Sequence, residues 1–306
     1  MLRKRGFHRV TLFDKSARVG GKCHTIEHDG RTYELGAGIH TRAYRTVSEI
    51  MRDVGAKSTP VWRSMHVDFD TAKLTWAWAY ILPRNPLAFG VGAARLAAEM
   101  VRHRRILEPG FAGIDRELAT PFARWATDKK VEAVANALAS AHTGFGYGYY
   151  EEIAAAYVLK YVSVIRVARE FLDGGWGGLW RRVAARQDVR LHTAIRSIAR
   201  SDTVTVTTAD DTFEFDYLIL ASPLDESLSF LDATEEETDL FSRIRYYDYH
   251  VFAGFAEGLP ETRYAFIPRQ RPGRTMFWYR RWLDTNLCAF YSLGRSSVGM
   301  REPMEH

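Results

Sequence analysis

The chain has 306 residues, a net charge of +5, 46% hydrophobic and 26% charged residues, proportions that exclude a disordered chain, a collagen-like repeat and a disulfide-stapled mini-protein. Its length accommodates one large domain or two ordinary ones at about 100–200 residues each. Two cysteines, Cys23 and Cys288, are too few and too far apart for a zinc ribbon or a disulfide framework, and fit a reducing, cytoplasmic setting.

MLRKRGFHRV crowds charge where a secretory leader carries an apolar run, so no leader is expected, and LRKRG reads as the last turn of a helix closing on Gly6. RVTLFDKS reads as a short strand ending at Asp14, followed by the glycine-pair loop ARVGGKCHT. Asp29-Gly30, between two alternating segments, marks a hairpin turn; the small residues Gly36-Ala37-Gly38 and a helix over 46–54 follow. From 58 to 110 the chain turns apolar, with Trp62, Trp76 and Trp78 and prolines at 83, 86 and 109, which reads as the start of a substrate-facing domain. LTWAWAYIL (74–82) stops at Pro83, short of the roughly 18 apolar residues a membrane span needs. The basic run Arg102-His103-Arg104-Arg105 reads as a solvated helix face, with lipid headgroup contact as the weaker alternative and no nucleic-acid partner.

Helical spacing predicts helices over 114–125, 129–141 and 153–171. After the glycine-rich turn 174–178 a helix is expected over 179–186, then strands in VRLHT, IRSIARS, TVTVTT and TFEFDYLILAS. The apolar run Tyr217–Ala221 reads as a buried parallel strand. A helix over 235–244 and strands in HVFAGFA and CAFYSL complete the chain.

Asp14 stands where a dinucleotide fold places the acceptor for the adenosine ribose hydroxyls, at the C-terminal end of a strand. Gly20 and Gly21 let backbone N–H groups approach a ligand closely, and Arg18 and Lys22 beside them supply positive charge for a pyrophosphate. Glu34-Leu35-Gly36-Ala37-Gly38 is a second segment of close approach. The sequence shows no Ser-His-Asp set and no paired carboxylates, and no metal site is expected.

Asp14, RVGGK (18–22), ELGAG (34–38) and DYLILASPL (216–224) in this order resemble the flavin-dependent amine-oxidase-like oxidoreductases. Within that family VGGKCH (19–24), GFGYG (144–148), AAYVLKY (155–161) and YRRW (279–282) are similar to the polyenoic fatty acid isomerases. The resemblance implies an α/β fold, in which an FAD-binding Rossmann-like sheet (1–57 and 174–228) is interleaved with an α+β substrate domain (58–173 and 229–306). It implies FAD with Asp14 near its ribose, Arg18, Gly20, Gly21 and Lys22 near its pyrophosphate and ribityl chain, Gly36 and Ala37 near the flavin, and the backbone of Ile195 at adenine. Arg63 would meet a fatty acid carboxylate and Phe171 would stand near an aromatic lid, while Trp76, Trp78 and Tyr80, Phe145, Tyr147, Tyr149 and Tyr150, and Phe277, Trp278 and Tyr279 are candidates to line an apolar tunnel for an unsaturated fatty acid. Hydride would leave an allylic methylene and return at another carbon, with no protein acid or base required. An amine oxidase or polyene desaturase of the same fold, and a lipid-binding module without cofactor, remain open beside this reading. The family's first strand with its G-x-G-x-x-G turn and its C-terminal flavin segment have no counterpart between Met1 and His306, so an internal piece of a longer enzyme is expected.

Overall fold

A computed structural model describes residues 2, 5–61, 64–68, 73–76, 86–108, 110–164, 169–171, 174–267 and 271–294. Its contacts cluster into two compact units, Met1–His24 with Trp176–Tyr246 and Thr25–Gly175 with Tyr247–His306. Each unit is thus assembled from two stretches of chain. Contact places the changes of unit at 24/25, 175/176 and 246/247, where the expected cofactor and substrate domains changed at 57/58, 173/174 and 228/229.

In the first unit, Thr11–Phe13 pairs in parallel with Asp188–Arg190, and Phe13 stands opposite Arg190. Three strands, Ser197–Arg200, Val204–Thr207 and Thr212–Phe215, follow as an antiparallel meander. Alternation fixes its face: Val204 and Val206 are buried with Ile198 and Leu231, while Phe13, Ile195 and Phe215 pack against them. Thr234 caps the helix Glu235–Ser242 through a reciprocal capping box with Glu237.

The segment 217–221 is not the buried parallel strand expected from its run of apolar residues. Leu218 and Leu220 pack into the core, but Tyr217 and Ile219 between them are 76% and 66% exposed. Only one face is covered, and among the described residues no strand pairs with it. Ring contact with Phe7, at 5.8 Å between centroids, shelters part of Tyr217.

In the second unit the hairpin Thr25–His28 and Arg31–Glu34 turns on Asp29 and Gly30, with φ of 49° and 69°. Two successive positive φ values define the two-residue type I′ turn, which the Asp-Gly pair favours. A six-stranded sheet runs in the order Tyr249–Phe255, Leu287–Leu293, Thr275–Tyr279, Tyr264–Phe266, Ser64–Asp68 and Lys73–Trp76, all antiparallel except Tyr264–Phe266 against Ser64–Asp68. The expected helix over 153–171 ends at Val164; Arg169–Phe171 is instead a strand, paired antiparallel with Ser58–Pro60. The Arg169 side chain ties the two strands, donating to Ser58 Oγ at 3.0 Å and to Ser58 O at 2.8 Å. The expected helix over 114–125 is a short 3-10 turn, Arg116–Ala119, followed by Phe122–Asp128, because Pro121 interrupts it. The helix expected from 179 starts earlier, at Gly175 within the glycine run.

A helical layer made of Pro86–Arg102, Phe122–Asp128, Glu132–Gly144 and Ala155–Val164 closes on Phe122, Trp125, Leu118, Ile106 and Leu159, each at most 2% exposed. Truncating Phe122 or Trp125 to alanine removes about 3–5 kcal/mol. From the Glu132–Gly144 helix, Ala141 and its neighbour Phe145 pack onto the sheet residues Phe277, Tyr279 and Tyr291. This brings Gly144-Phe145-Gly146-Tyr147 beside the sheet.

Candidate functional site

In the first unit the strand Thr11–Phe13 delivers Asp14 to a loop pinned by the chain after Asp188–Arg190. Asp14 N–H donates to Arg190 O, Thr193 N–H to Asp14 O, each at 2.9 Å, and His192 N–H to Ser16 O at 3.0 Å. The Asp14 carboxylate receives the Ser16 N–H at 2.9 Å and the Ser16 hydroxyl at 2.6 Å, both on Oδ1. That leaves the other oxygen as the acceptor at the strand end. Cys23 N–H closes a turn on Gly20 O at 2.9 Å, and Gly21, with φ of 53°, takes the position a type II′ turn reserves for glycine.

The two glycines differ. A Cβ on Gly20 would stand 3.1 Å from Cys23 O and 3.2 Å from Trp180 Cδ1, so this glycine serves the turn's packing. A Cβ on Gly21 would meet nothing within 4 Å, so its backbone faces open space. Exposed Arg18 donates to Cys23 O at 3.0 Å, bracing the turn, and exposed Lys22 lies 5.6 Å from the Tyr246 ring. Burial and then Arg18 push the His24 imidazole below its usual value. Ile195 follows Thr193 by two residues and packs against the unit's core. Asp14, Arg18, Gly20, Gly21, Lys22 and Ile195 therefore all belong to one short-range assembly.

Gly36 and Ala37 belong to the second unit. The strand Arg31–Glu34 leads into them, and the Tyr291 hydroxyl donates to Gly36 O at 3.1 Å. Gly38 passes close to Glu34 and Tyr279: a Cβ there would lie 3.3 Å from Glu34 Cβ and 3.5 Å from Tyr279 Cε1. Beneath this segment lies a buried polar group most of whose members carried no expected site role. Arg281 Nη1 donates to Glu34 Oε1 at 3.1 Å, Thr25 Oγ1 donates to Glu34 Oε2 at 2.7 Å, Arg263 Nη1 donates to Glu170 Oε1 at 2.9 Å, and Tyr279 OH donates to Glu170 Oε2. Burial first, then Glu170, raises the Tyr279 phenol well above its ordinary value; burial and then Glu34 do the same to Tyr291. Both tyrosines stay protonated donors. The signal available in sequence was Glu34 two positions before the small residues and Arg280-Arg281 directly after the apolar TMFWY strand.

Tyr147 is 43% exposed, its hydroxyl 3.4 Å from that of Tyr44 and its ring 5.1 Å from Tyr161 and 5.7 Å from His142. His142 is fully buried among Tyr147, Tyr150 and Tyr161, and burial pushes it down to about 4, so it is neutral at physiological pH. Phe277, Trp278 and Tyr279, expected as tunnel candidates, are at most 3% exposed and serve the core. Phe171 sits in a described strand with its side chain outside the described residues, and Arg63, Trp78 and Tyr80 lie outside them altogether. Against the expectation of no metal site, Glu99, His103 and Glu117 bring ligand-type atoms within 4.8 Å of one another. Lys129 supplies a cation there, 2.9 Å from Glu117 and 3.5 Å from Glu99.

Comparison with known proteins gives this arrangement its context. The family model of the flavin containing amine oxidoreductases matches residues 1–253. The chain belongs to this family. The solved structure of the CLA-producing fatty acid isomerase from P. acnes superposes with a TM-score of 0.87 at 26% identity, over 99% of this chain and 74% of that one. Wild-type putrescine oxidase bound to putrescine gives 0.68 at 15% identity, over 96% and 71%. Cyclohexylamine oxidase from Brevibacterium oxydans IH-35A gives 0.66 at 14%, over 92% and 68%. The two oxidases share the fold. Among curated proteins none matches the sequence. The α/β fold of a FAD-dependent oxidoreductase, expected from the motifs, is thus the fold this chain has. Among the described residues no helix is long and apolar enough to cross a membrane.

A flavin is the cofactor this family carries, and the first unit's loop suits the adenosine diphosphate half of such a group. It offers a carboxylate oxygen at a strand end, a glycine backbone facing open space, and two exposed cations within five residues.

Proposed function

We propose that the chain is an FAD-dependent isomerase that moves double bonds in a polyunsaturated fatty acid. The observation that carries this reading is the likeness to the fatty acid isomerase from P. acnes, at 26% identity with a TM-score of 0.87 over 99% of the chain. Bound FAD supplies a hydride acceptor for a C–H bond that no carbonyl acidifies. Asp14 would accept hydrogen bonds from the ribose hydroxyls, Gly21, on the turn that Gly20 packs, would bring the backbone to the pyrophosphate, and Arg18 and Lys22 would offset its charge. The backbone of Ile195 meets adenine, and Gly36 and Ala37 approach the flavin.

The buried Glu34–Arg281 and Glu170–Tyr279 groups fix the Gly36–Gly38 segment, so that its backbone holds one position. The Tyr147, Tyr161 and His142 rings form an apolar wall with no charge at neutral pH, suited to an acyl chain. Arg63 pairs with the carboxylate, and Phe171 adds a further aromatic contact. No group of this chain needs to move a proton for the reaction.

Anaerobic incubation of the FAD-loaded protein with linoleate tests this reading. A rising conjugated-diene absorbance with the oxidised flavin spectrum unchanged is the expected result. Bleaching of the flavin by putrescine or cyclohexylamine, with linoleate inert, would instead place the chain among the amine oxidases.

A further inference from the structure

The helix Pro86–Arg102 is apolar on both sides. Its inner side buries Gly92 and Leu96, with Phe89, Ala93 and Met100 packed against the helical core, and Val134 Cγ2 lies 3.3 Å from where a Gly92 Cβ would stand. At 3.6 residues per turn, Leu87, Val91, Ala94, Ala98 and Val101 fall within an arc of about 80° on the opposite side. All five are exposed, Leu87 by 78% and Val101 by 73%. A helix at the surface of a globular protein carries charge in that arc, and one apolar all round is ordinarily buried or in contact with lipid. The 3-10 turn Arg104–Leu107 continues the pattern, burying Ile106 and leaving Leu107 61% exposed.

Two further observations define what this face fits. Exposed arginines border it: Arg95 and Arg102 lie along one edge of the stripe, and Arg104 and Arg105 close its C-terminal end. Among the described residues the Arg104 side chain has no hydrogen bond or ion pair, and the Arg105 side chain makes only a long one, 3.3 Å to Gly113 O, whereas Arg102 lies 3.4 Å from Glu117. The helix is also anchored, so the outward stripe is a fixed feature. His103, 4% exposed, lies 2.6 Å from Asp115 Oδ2 and beside Glu99 and Glu117, which Lys129 joins.

We infer that this face docks on an anionic lipid surface, the stripe entering the headgroup–acyl boundary and the arginines meeting lipid phosphates. A second copy of the chain fits less well, because a two-fold contact through this patch sets one arginine rim against the other. The inference stands apart from the isomerase reading, since it concerns where the protein resides and leaves the chemistry open.

Sedimentation of the full chain with phosphatidylcholine vesicles, with and without about one third phosphatidylglycerol, tests it. The wild type is expected to pellet with the anionic vesicles only. The Leu87→Gln/Val101→Gln/Leu107→Gln variant should stay in the supernatant, with an unchanged urea midpoint because none of the three side chains is buried. Arg104→Gln should bind about fivefold more weakly. Wild type left in the supernatant, or the triple variant pelleting as fully as wild type, would overturn the inference. So would a wild-type dimer that the triple variant converts to monomer while neither binds lipid.

Discussion

The Glu34 carboxylate and the Arg281 guanidinium meet 3.1 Å apart with their side chains 0% and 3% exposed. An ion pair so completely removed from water holds its geometry because neither charge has another medium to turn to. Replacing one partner, as in Arg281→Met, takes the Arg281 guanidinium from the buried Glu34 carboxylate and should cost about 3–5 kcal/mol in urea unfolding. The double variant Glu34→Leu/Arg281→Met should recover part of that loss. Equal losses in the single and double variants would mean that the pair itself is not the source.

Asp14→Asn keeps the side chain's shape and removes its charge. Hydrogen bonds to a charged group are worth about 1.5–3 kcal/mol, so the FAD dissociation constant should rise roughly 10–100-fold, read by quenching of flavin fluorescence. Gly20→Ala should act differently. At φ of 106°, with Cys23 O and Trp180 in its way, the new methyl strains the turn and lowers the thermal midpoint with or without FAD.

Burial pushes His40, His66 and His142 down to about 4; in His40, Arg169 adds to the effect. Each is neutral in the folded protein while its unfolded counterpart, near 6.5, takes up a proton as pH falls. The unfolded state then binds more protons, so stability is intact above pH 6.5 and is lost as pH falls towards about 4, by up to roughly 3 kcal/mol for each histidine. Urea midpoints across that window should fall for the wild type. They should fall less for His142→Phe, which keeps a ring among Tyr147, Tyr150 and Tyr161.

Cys288 is 1% exposed, and burial pushes its thiol up to about 11, while Cys23 is partly exposed. A disulfide exchange reagent should therefore titrate one thiol in the native protein and two after denaturation. Cys23→Ser should abolish the native reaction.

What was legible in the sequence follows from the range of the forces involved. The Asp29-Gly30 turn and the helix after Thr234 are written in residues at most three apart, and both appear where expected. The cofactor motif from Asp14 to Lys22 is equally local, and its residues do form one loop. Tyr217–Ala221 misled because its apolar run fixes neither the number of faces covered nor the presence of a neighbouring strand. Val164 ends a helix that spacing alone carried to Phe171, since the competing strand needs Ser58–Pro60 from far upstream. Glu34 and Arg281 were not paired because 247 positions separate them, and only the folded sheet makes them neighbours.

In the proposed reaction, hydride leaves one carbon of a fatty acid and returns to another of the same molecule. Linoleate deuterated at the methylene between its double bonds, incubated anaerobically with the FAD-loaded protein in ordinary water, measures this by mass spectrometry and NMR of the product. Deuterium retained in a conjugated product, moved to a new carbon, is the predicted result. A product that has exchanged its label for solvent hydrogen, or flavin reduced in proportion to linoleate consumed, would contradict it.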